Sequence, residues 1–287
     1  MSAHGLPPME TAALAPRPLT PFRFASLLRY PLLRHGITGR APGRWRDGDI
    51  SYTTGGDPAL VLANRRAWAA QIGVDATQIV AVRQVHGNVV DCVDAGARGR
   101  GAFSLSAEEV PAADALLTDA PDTPLLLGFA DCTPLLFHDP VRGVVGLAHA
   151  GWRGTVANVA GATVAAMSAQ FGSLPGDITA GIGPAIGRCC YVVDAPVMSA
   201  WLALGVADPL VLEEIAPANG RRQWRFDLAR ANRLLLQRAG VPAAQIEDAA
   251  LCTACNVASF PSHRAQQGQA GRFAAIISLA ADDTPHA

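Results

Sequence analysis

The chain has 287 residues, 50% hydrophobic and 16% charged, so it can bury a sizeable core, and disorder as its dominant state is excluded. Its formal net charge of −1 leaves no basic excess to neutralise a polyanion, so composition gives nucleic-acid binding no support. All 23 basic residues are arginine, and without lysine neither Schiff-base chemistry nor a phosphate-loop lysine is available.

Residues 1–20, rich in Pro and Ala, read as a mobile arm ahead of a single domain over 21–282. The opening stretch lacks the basic lead-in, apolar run and cleavage site of a signal peptide. Apolar bursts such as 125–130 stop after about six residues, against the roughly 20 that a bilayer needs, so a cytoplasmic protein without a membrane role is expected. Residues 36–56 read as loop. Asp57-Pro58 then supplies an N-cap and a first-turn proline for a helix that runs to Ile72 and stops at Gly73. Ile79–Val82 and Val89-Val90 read as the strands of a hairpin with His86 at its tip. After a loop over 94–112 come short apolar bursts between Ala115 and Ala150, the pattern of strands covered on both faces. Val156, Val159, Ala160, Thr163, Val164 and Met167 recur at helical spacing, which predicts a helix over Thr155–Phe171. Thr179–Pro184 reads as strand and turn, and Asp194–Leu204 and Asp227–Ala239 as helices, the latter closed by Gly240. Residues 273–280 form a last strand. Together these elements predict an α/β fold with one mixed sheet and flanking helices.

Three residues at expected strand ends and turns can carry chemistry: His86, Cys132 and His149. Two imidazoles and a thiolate suit a catalytic zinc with one position left open, although single buried His and Cys residues also serve plain packing. The turn His149-Ala-Gly-Trp-Arg-Gly leads straight into the Thr155 helix, so free amides and the Arg153 guanidinium should converge on an anion. The alternative is a tight connection that needs Gly151 and Gly154 for geometry alone. Residues 181–187 have the look of a phosphate loop without its Lys, and read as a bend lining the pocket. Cys252 and Cys255 form a CxxC without an evident partner pair, since the adjacent Cys189 and Cys190 are poorly placed to chelate together. No structural zinc is expected there, nor do six unevenly spaced cysteines suggest a disulfide framework.

The segments Gln84–Gly87, Ala113–Asp119, Ala130–Asp139, Val144–Thr155, Gly181–Tyr191, Phe226–Asn232, Cys252–Asn256 and Phe260–Leu279 resemble, in that order, the YfiH-like family, also called laccase-domain or polyphenol-oxidase-like. The resemblance covers roughly residues 35–280. It implies a zinc-dependent purine nucleoside phosphorylase acting on adenosine, inosine and S-methyl-5'-thioadenosine, with adenosine deaminase activity. It also implies zinc ligands at His86, Cys132 and His149. Asp131 is then a candidate to orient a ligand imidazole or carry a proton, and Arg40, Arg153, Gly154 and Arg264 are candidates for phosphate or ribose contacts. The chain departs from the family pattern near its start, where only Arg40 is kept. Val192 stands where the family has a glutamate, and His263-Arg264 replaces a double basic pair. These departures bear on substrate preference more than on metal.

Three rival readings accompany this one. Cys132 and His149 could form the nucleophile and base of a hydrolase or deamidase, since the fold is held to resemble toxin deamidase domains. Laccase chemistry needs about ten histidines, whereas seven are present, with His4 and His286 in the terminal arms. A peptidoglycan editing role, attached to relatives, finds no support in these residues.

Overall fold

The computed structural model describes residues 19–282 except 207 and 219. All but Leu19 and Thr20 of the expected arm, together with His4 and His286, lie outside the described residues.

The apolar bursts divide between two sheets. A six-stranded sheet runs in the order β11 (Ile246–Asp248), β7 (Thr179–Ile182), β5 (Thr133–Asp139), β6 (Val144–Ala150), β3 (Ala115–Thr118) and β2 (Val90–Cys92). It is mixed: β11 pairs with β7, and β2 with β3, in parallel, while the central pairs are antiparallel. A second sheet orders β1 (Leu33–Ile37), β12 (Phe273–Leu279) and β4 (Leu125–Phe129), all antiparallel. A third joins β8 (Val192–Val193), β10 (Arg221–Phe226) and β9 (Leu212–Ala218). The helices are α1 (Ala25–Leu28), α2 (Pro58–Ile72), α3 (Trp152–Val156), α4 (Val159–Phe171), α5 (Ala195–Leu202) and α6 (Leu228–Arg238).

Strand alternation explains the layering. Leu117, Leu135, Phe137 and Ala148 point to the face covered by Val159, Val164 and Met167 of α4 and Leu235 of α6. Leu116, Leu136, Val145 and Leu147 point the other way, onto Leu125, Leu127, Phe273 and Ile277 of the second sheet. That sheet's outer face, with Leu126, Ala274 and Ile276, is covered by Trp68, Ala69 and Ile72 of α2. Strands sandwiched on both sides must be apolar at successive positions, as the bursts are.

The helix at 58–72 forms as expected, with the Asp57 carboxylate accepting from Ala59 N at 2.9 Å and Gly73 closing it at φ 85°. Four expectations change. One mixed sheet becomes three sheets, because the chain crosses from the second sheet to the central one between β4 and β5. The hairpin around His86 does not form: Val90–Cys92 pairs in parallel with β3, and Val80 makes only an isolated bridge to Leu125. The helix expected from Thr155 begins at Trp152 and breaks at Asn158, whose left-handed backbone (φ 59°) restarts it as α4. Strands β1, β9 and β10 were hidden by their charged residues, although the Asn-Gly dipeptide at 219–220 is a hairpin signal.

Candidate active site

The corner where the chain leaves β4 and enters β5 is built around Asp131. Its backbone lies in the left-handed region (φ 83°), which is costly for a residue with a Cβ. Three hydrogen bonds hold it there. Thr253 Oγ1 donates to Oδ1 at 2.6 Å, Arg264 N to Oδ2 at 2.7 Å, and Ile186 N to the Asp131 carbonyl at 2.9 Å. The corner delivers Cys132 beside the end of β6, since the antiparallel register pairs Thr133 with Ala150 and Pro134 with His149. His86 arrives on a separate tight turn, also left-handed (φ 62°). The candidate ligand atoms of His86, Cys132 and His149 all lie within 4.8 Å of one another, and the two imidazoles meet edge-on with centroids 4.8 Å apart.

One fully buried carboxylate organises this trio. Asp114 Oδ1 lies 2.8 Å from His149 Nδ1 and accepts from His86 N at 3.0 Å. Its Oδ2 accepts from Gly87 N at 2.6 Å and Val85 N at 3.2 Å. With Nδ1 donating to a carboxylate, His149 presents Nε2 as its free donor atom, the arrangement that orients a metal-binding histidine. Asp114 lies in the Ala113–Asp119 segment of the resemblance, where nothing local in the sequence marks it as facing a residue 35 positions later. The role of orienting an imidazole therefore belongs to Asp114, because both Asp131 oxygens are engaged by Thr253 and Arg264.

The electrostatics suit a cation. Burial pushes the Cys132 thiol up, but the His149 and His86 imidazoles outweigh it and hold the thiol down to about 6. Burial pulls His149 down, yet Cys132 and Asp114 raise it to about 9. Burial also raises Asp114, and its bonds to His149 and the amides of the His86 turn bring it below the ordinary carboxylate value. Space fits as well. A Cβ on Gly151 would stand 2.7 Å from Cys132 Sγ and 3.3 Å from His86 Cδ2, so the close approach of α3 to the ligand atoms requires glycine. Two imidazoles and an ionisable thiol form a donor set for a borderline-soft ion with one position left over.

A cavity of about 550 Å³ opens onto the trio and is also lined by Arg65, Arg83, His263 and Arg272. The expected substrate residues do not line this cavity. The Arg40 guanidinium is committed to Val257 O (2.6 Å), Asp47 Oδ2 (2.8 Å) and Gln266 Oε1 (2.7 Å), so it straps loops together and is no contact of this cavity. Arg264 stacks on Tyr191, with Cζ 5.2 Å from the ring centroid, and donates to Val192 O at 3.0 Å. Arg153 is exposed on α3, its guanidinium 4.3 Å over the Trp152 ring. Burial and the neighbouring Cys132 and Asp131 charges push the Tyr191 phenol up, while Arg264 and Arg153 oppose them. The Arg264 amide bonds Asp131, next to Cys132, and Arg153 follows Gly151 on the turn that meets Cys132 Sγ, so both residues lie beside the trio. Gly154 is buried, where a Cβ would approach the carbonyls of Gly87 and His149 to 3.1 Å. Residues 181–187 do not line the cavity; they brace the Asp131 corner instead.

The cysteines overturn another expectation. Cys189, Cys190, Cys252 and Cys255 come within 4.8 Å of one another, so the CxxC does have a partner pair. Adjacent cysteines ordinarily diverge, but Cys190 N and Tyr191 N both donate to Gly187 O, and this turn brings both thiols to Cys255.

The layered α/β fold and its histidine–cysteine centre define an enzyme with a candidate metal site. The chain belongs to the family described as multi-copper polyphenol oxidoreductase laccase, whose model matches residues 33–280. It is 39% identical over 255 residues to the purine nucleoside phosphorylase YlmD of Geobacillus stearothermophilus, covering 88% of this chain and 90% of that one. A crystal structure of YlmD from that species superposes with a TM-score of 0.84 at 35% identity, covering 92% and 97% of the two chains. The hypothetical protein YfiH of Bacillus licheniformis superposes at 0.79 with 35% identity, covering 86% and 92%. The adenosine deaminase RL5, from an unknown prokaryotic organism, is 37% identical over 224 residues, covering 76% of this chain and 81% of that one. No helix of the described residues is long and apolar enough to cross a membrane.

Proposed function

We propose that residues 21–282 act as one catalytic domain, a zinc-dependent purine nucleoside phosphorylase that also deaminates adenosine. The observation that carries this reading is the convergence of His86, Cys132 and His149, oriented by Asp114, on a cavity of about 550 Å³, a volume suited to a nucleoside. The names of the relatives supply the reactions: one is a purine nucleoside phosphorylase and another an adenosine deaminase.

His86, Cys132 and His149 would hold the ion. Lewis acidity, and with it hydroxide at neutral pH, is what zinc supplies when bound. Asp114 keeps His149 in the tautomer that leaves Nε2 free. Asp131 is a positioning residue, tying the Cys132 corner to Thr253 and Arg264. Arg153 and Arg264 place two full positive charges beside the trio and take the phosphate of the phosphorolysis reaction, with Gly154 letting the Arg153 turn pack against the Gly87 and His149 carbonyls. Adenosine, inosine and S-methyl-5'-thioadenosine are the substrates this reading implies.

The test is a purine nucleoside panel run with and without phosphate on metal-assayed protein. Phosphate-dependent release of free base and sugar 1-phosphate is expected, with phosphate-independent conversion of adenosine to inosine. Absence of both from zinc-replete protein refutes the reading.

A second reading has its own observation: a Cys132 thiol held down to about 6 beside an imidazole raised to about 9 is also the state of a Cys–His hydrolase. Metal content separates the two, since Cys132→Ala loses the zinc of this centre under the first and leaves the zinc count unchanged under the second. The family description names copper oxidation. Of the five described histidines, however, His35 accepts from Phe24 N, His138 packs on Tyr30 and His263 lines the cavity outside the cluster, so only His86 and His149 join Cys132. The histidine-rich donor set of a multicopper centre is not assembled among the described residues.

A further inference from the structure

Four thiols gather outside the site just described and take no part in it. Cys189 and Cys190 lie on the turn after Gly187, and Cys252 and Cys255 on the turn after β11. A short ladder holds the two turns side by side: Ala185 N donates to Leu251 O at 3.2 Å and Thr253 N to Ala185 O at 2.9 Å. Cys255 Sγ stands 3.5 Å from Cys189 Sγ and 3.4 Å from Cys190 Sγ.

We propose that Cys189, Cys190, Cys252 and Cys255 form a tetrathiolate site for a single zinc ion, separate from the His86–Cys132–His149 centre. With Zn–S bonds of about 2.3 Å, a tetrahedral site sets its sulfurs about 3.8 Å apart. Separations of 3.4 and 3.5 Å at Cys255, with all four sulfurs within 4.8 Å of one another, bracket that edge. They are too short to surround an iron–sulfur cluster, whose cysteines splay around several iron and sulfide atoms. They also lie far beyond the roughly 2.05 Å of a disulfide.

The surroundings are those of a thiolate site. Gly187 N donates to Cys252 Sγ at 3.2 Å, and the Cys255 amide donates to the same sulfur. Such N–H···S bonds spread the charge that accumulates when thiols ionise. At Gly187 a Cβ would meet Cys252 Cβ at 3.0 Å and Cys189 Sγ at 3.3 Å, so glycine leaves the sulfurs their room. Binding would replace each coordinating thiol's proton with a bond to zinc and release the protons to solvent. Without a cation, four thiolates this close repel one another.

The position gives the ion its task. Thr253, between the two cysteines of the CxxC, donates to Asp131 Oδ1, and Ile186, on the other turn, donates to the Asp131 carbonyl. The zinc staples together the two turns that hold the Cys132 corner.

Metal analysis of the full chain tests this. Two zinc ions per chain are expected in the unaltered protein, and one each in Cys189→Ser and Cys255→Ser. Cys92→Ser, whose exposed thiol lies in β2 outside both groups, should keep two. Cys132→Ala should keep one, so loss of the catalytic centre and loss of the tetrathiolate site are read separately. Cobalt loaded into the Cys132→Ala chain should give the intense thiolate-to-metal charge-transfer bands of a tetrahedral sulfur site, and these should vanish when Cys255→Ser is added. The cobalt spectrum decides the matter even where a serine variant fails to fold. An unchanged zinc count in Cys255→Ser, no thiolate–cobalt bands in Cys132→Ala, or a disulfide among these four residues in metal-saturated protein would each overturn the proposal.

Discussion

Asp114→Asn is the most informative single change at the metal centre. Four donors converge on this carboxylate, His149 Nδ1 and His86 N on one oxygen, and Gly87 N and Val85 N on the other. An amide of the same size offers one oxygen, so whichever way it turns, two donors face an NH₂ group. With the NH₂ toward His149, the imidazole must take the other tautomer and lose its free Nε2. With the NH₂ toward Gly87, the His86 turn loses its anchor. Either way one metal ligand is displaced, and losing such a supporting carboxylate weakens metal binding or activity about 10- to 100-fold. That corresponds to about 1.4–2.7 kcal/mol. Chelator competition should find zinc affinity reduced by that factor, and kcat/KM for adenosine and inosine should fall with it at limiting zinc. Excess zinc should restore part of the activity. If Asp114→Asn binds zinc as tightly as the unaltered protein and only its Tm falls, Asp114 merely props the fold and the orienting role is refuted.

Arg153→Ala should leave zinc bound and raise the phosphate concentration needed for phosphorolysis about 10- to 100-fold, the loss of about 1.5–3 kcal/mol of charge-assisted bonding. Adenosine deamination should suffer less, and equal losses in both reactions sink the phosphate assignment. Burial holds His138 down to about 4, so it stays neutral in the fold while its unfolded counterpart takes a proton below about 6.5. Its contribution is therefore present above pH 6.5 and lost as pH falls toward 4, by on the order of 3 kcal/mol at most. Tm should fall less between pH 7 and 4.5 in His138→Phe than in the unaltered protein, and a steeper fall contradicts the argument. Asn158 joins α3 to α4 with a left-handed backbone and a side chain that accepts from Gly161 N at 3.1 Å. Asn158→Ala should cost about 2 kcal/mol in denaturant unfolding and Asn158→Gly much less; equal losses would place the effect elsewhere.

What local sequence determines here is what depends on neighbours within a turn or two. Asp57-Pro58 and Gly73 bound α2 because capping and left-handed termination act over a few bonds. The apolar bursts declared strands buried on both faces because burial acts on each side chain separately. His86, Cys132 and His149 stood out by residue type at turns and strand ends, and resemblance to a family joined them. Only the tertiary structure decided which distant groups meet. Asp114 is opposite His149 because β3 and β6 pair in one register, and that pairing reflects how two sheets fill a common core. Arg40, an apparent substrate contact, is consumed by three acceptors from distant loops. Cys252 and Cys255 acquire partners more than 60 residues away through a ladder whose hydrogen bonds involve backbone alone. Local side-chain identity does not reveal such a pairing, because every residue except proline carries the same amide and carbonyl, and which two segments exchange them is settled by the packing of the whole fold.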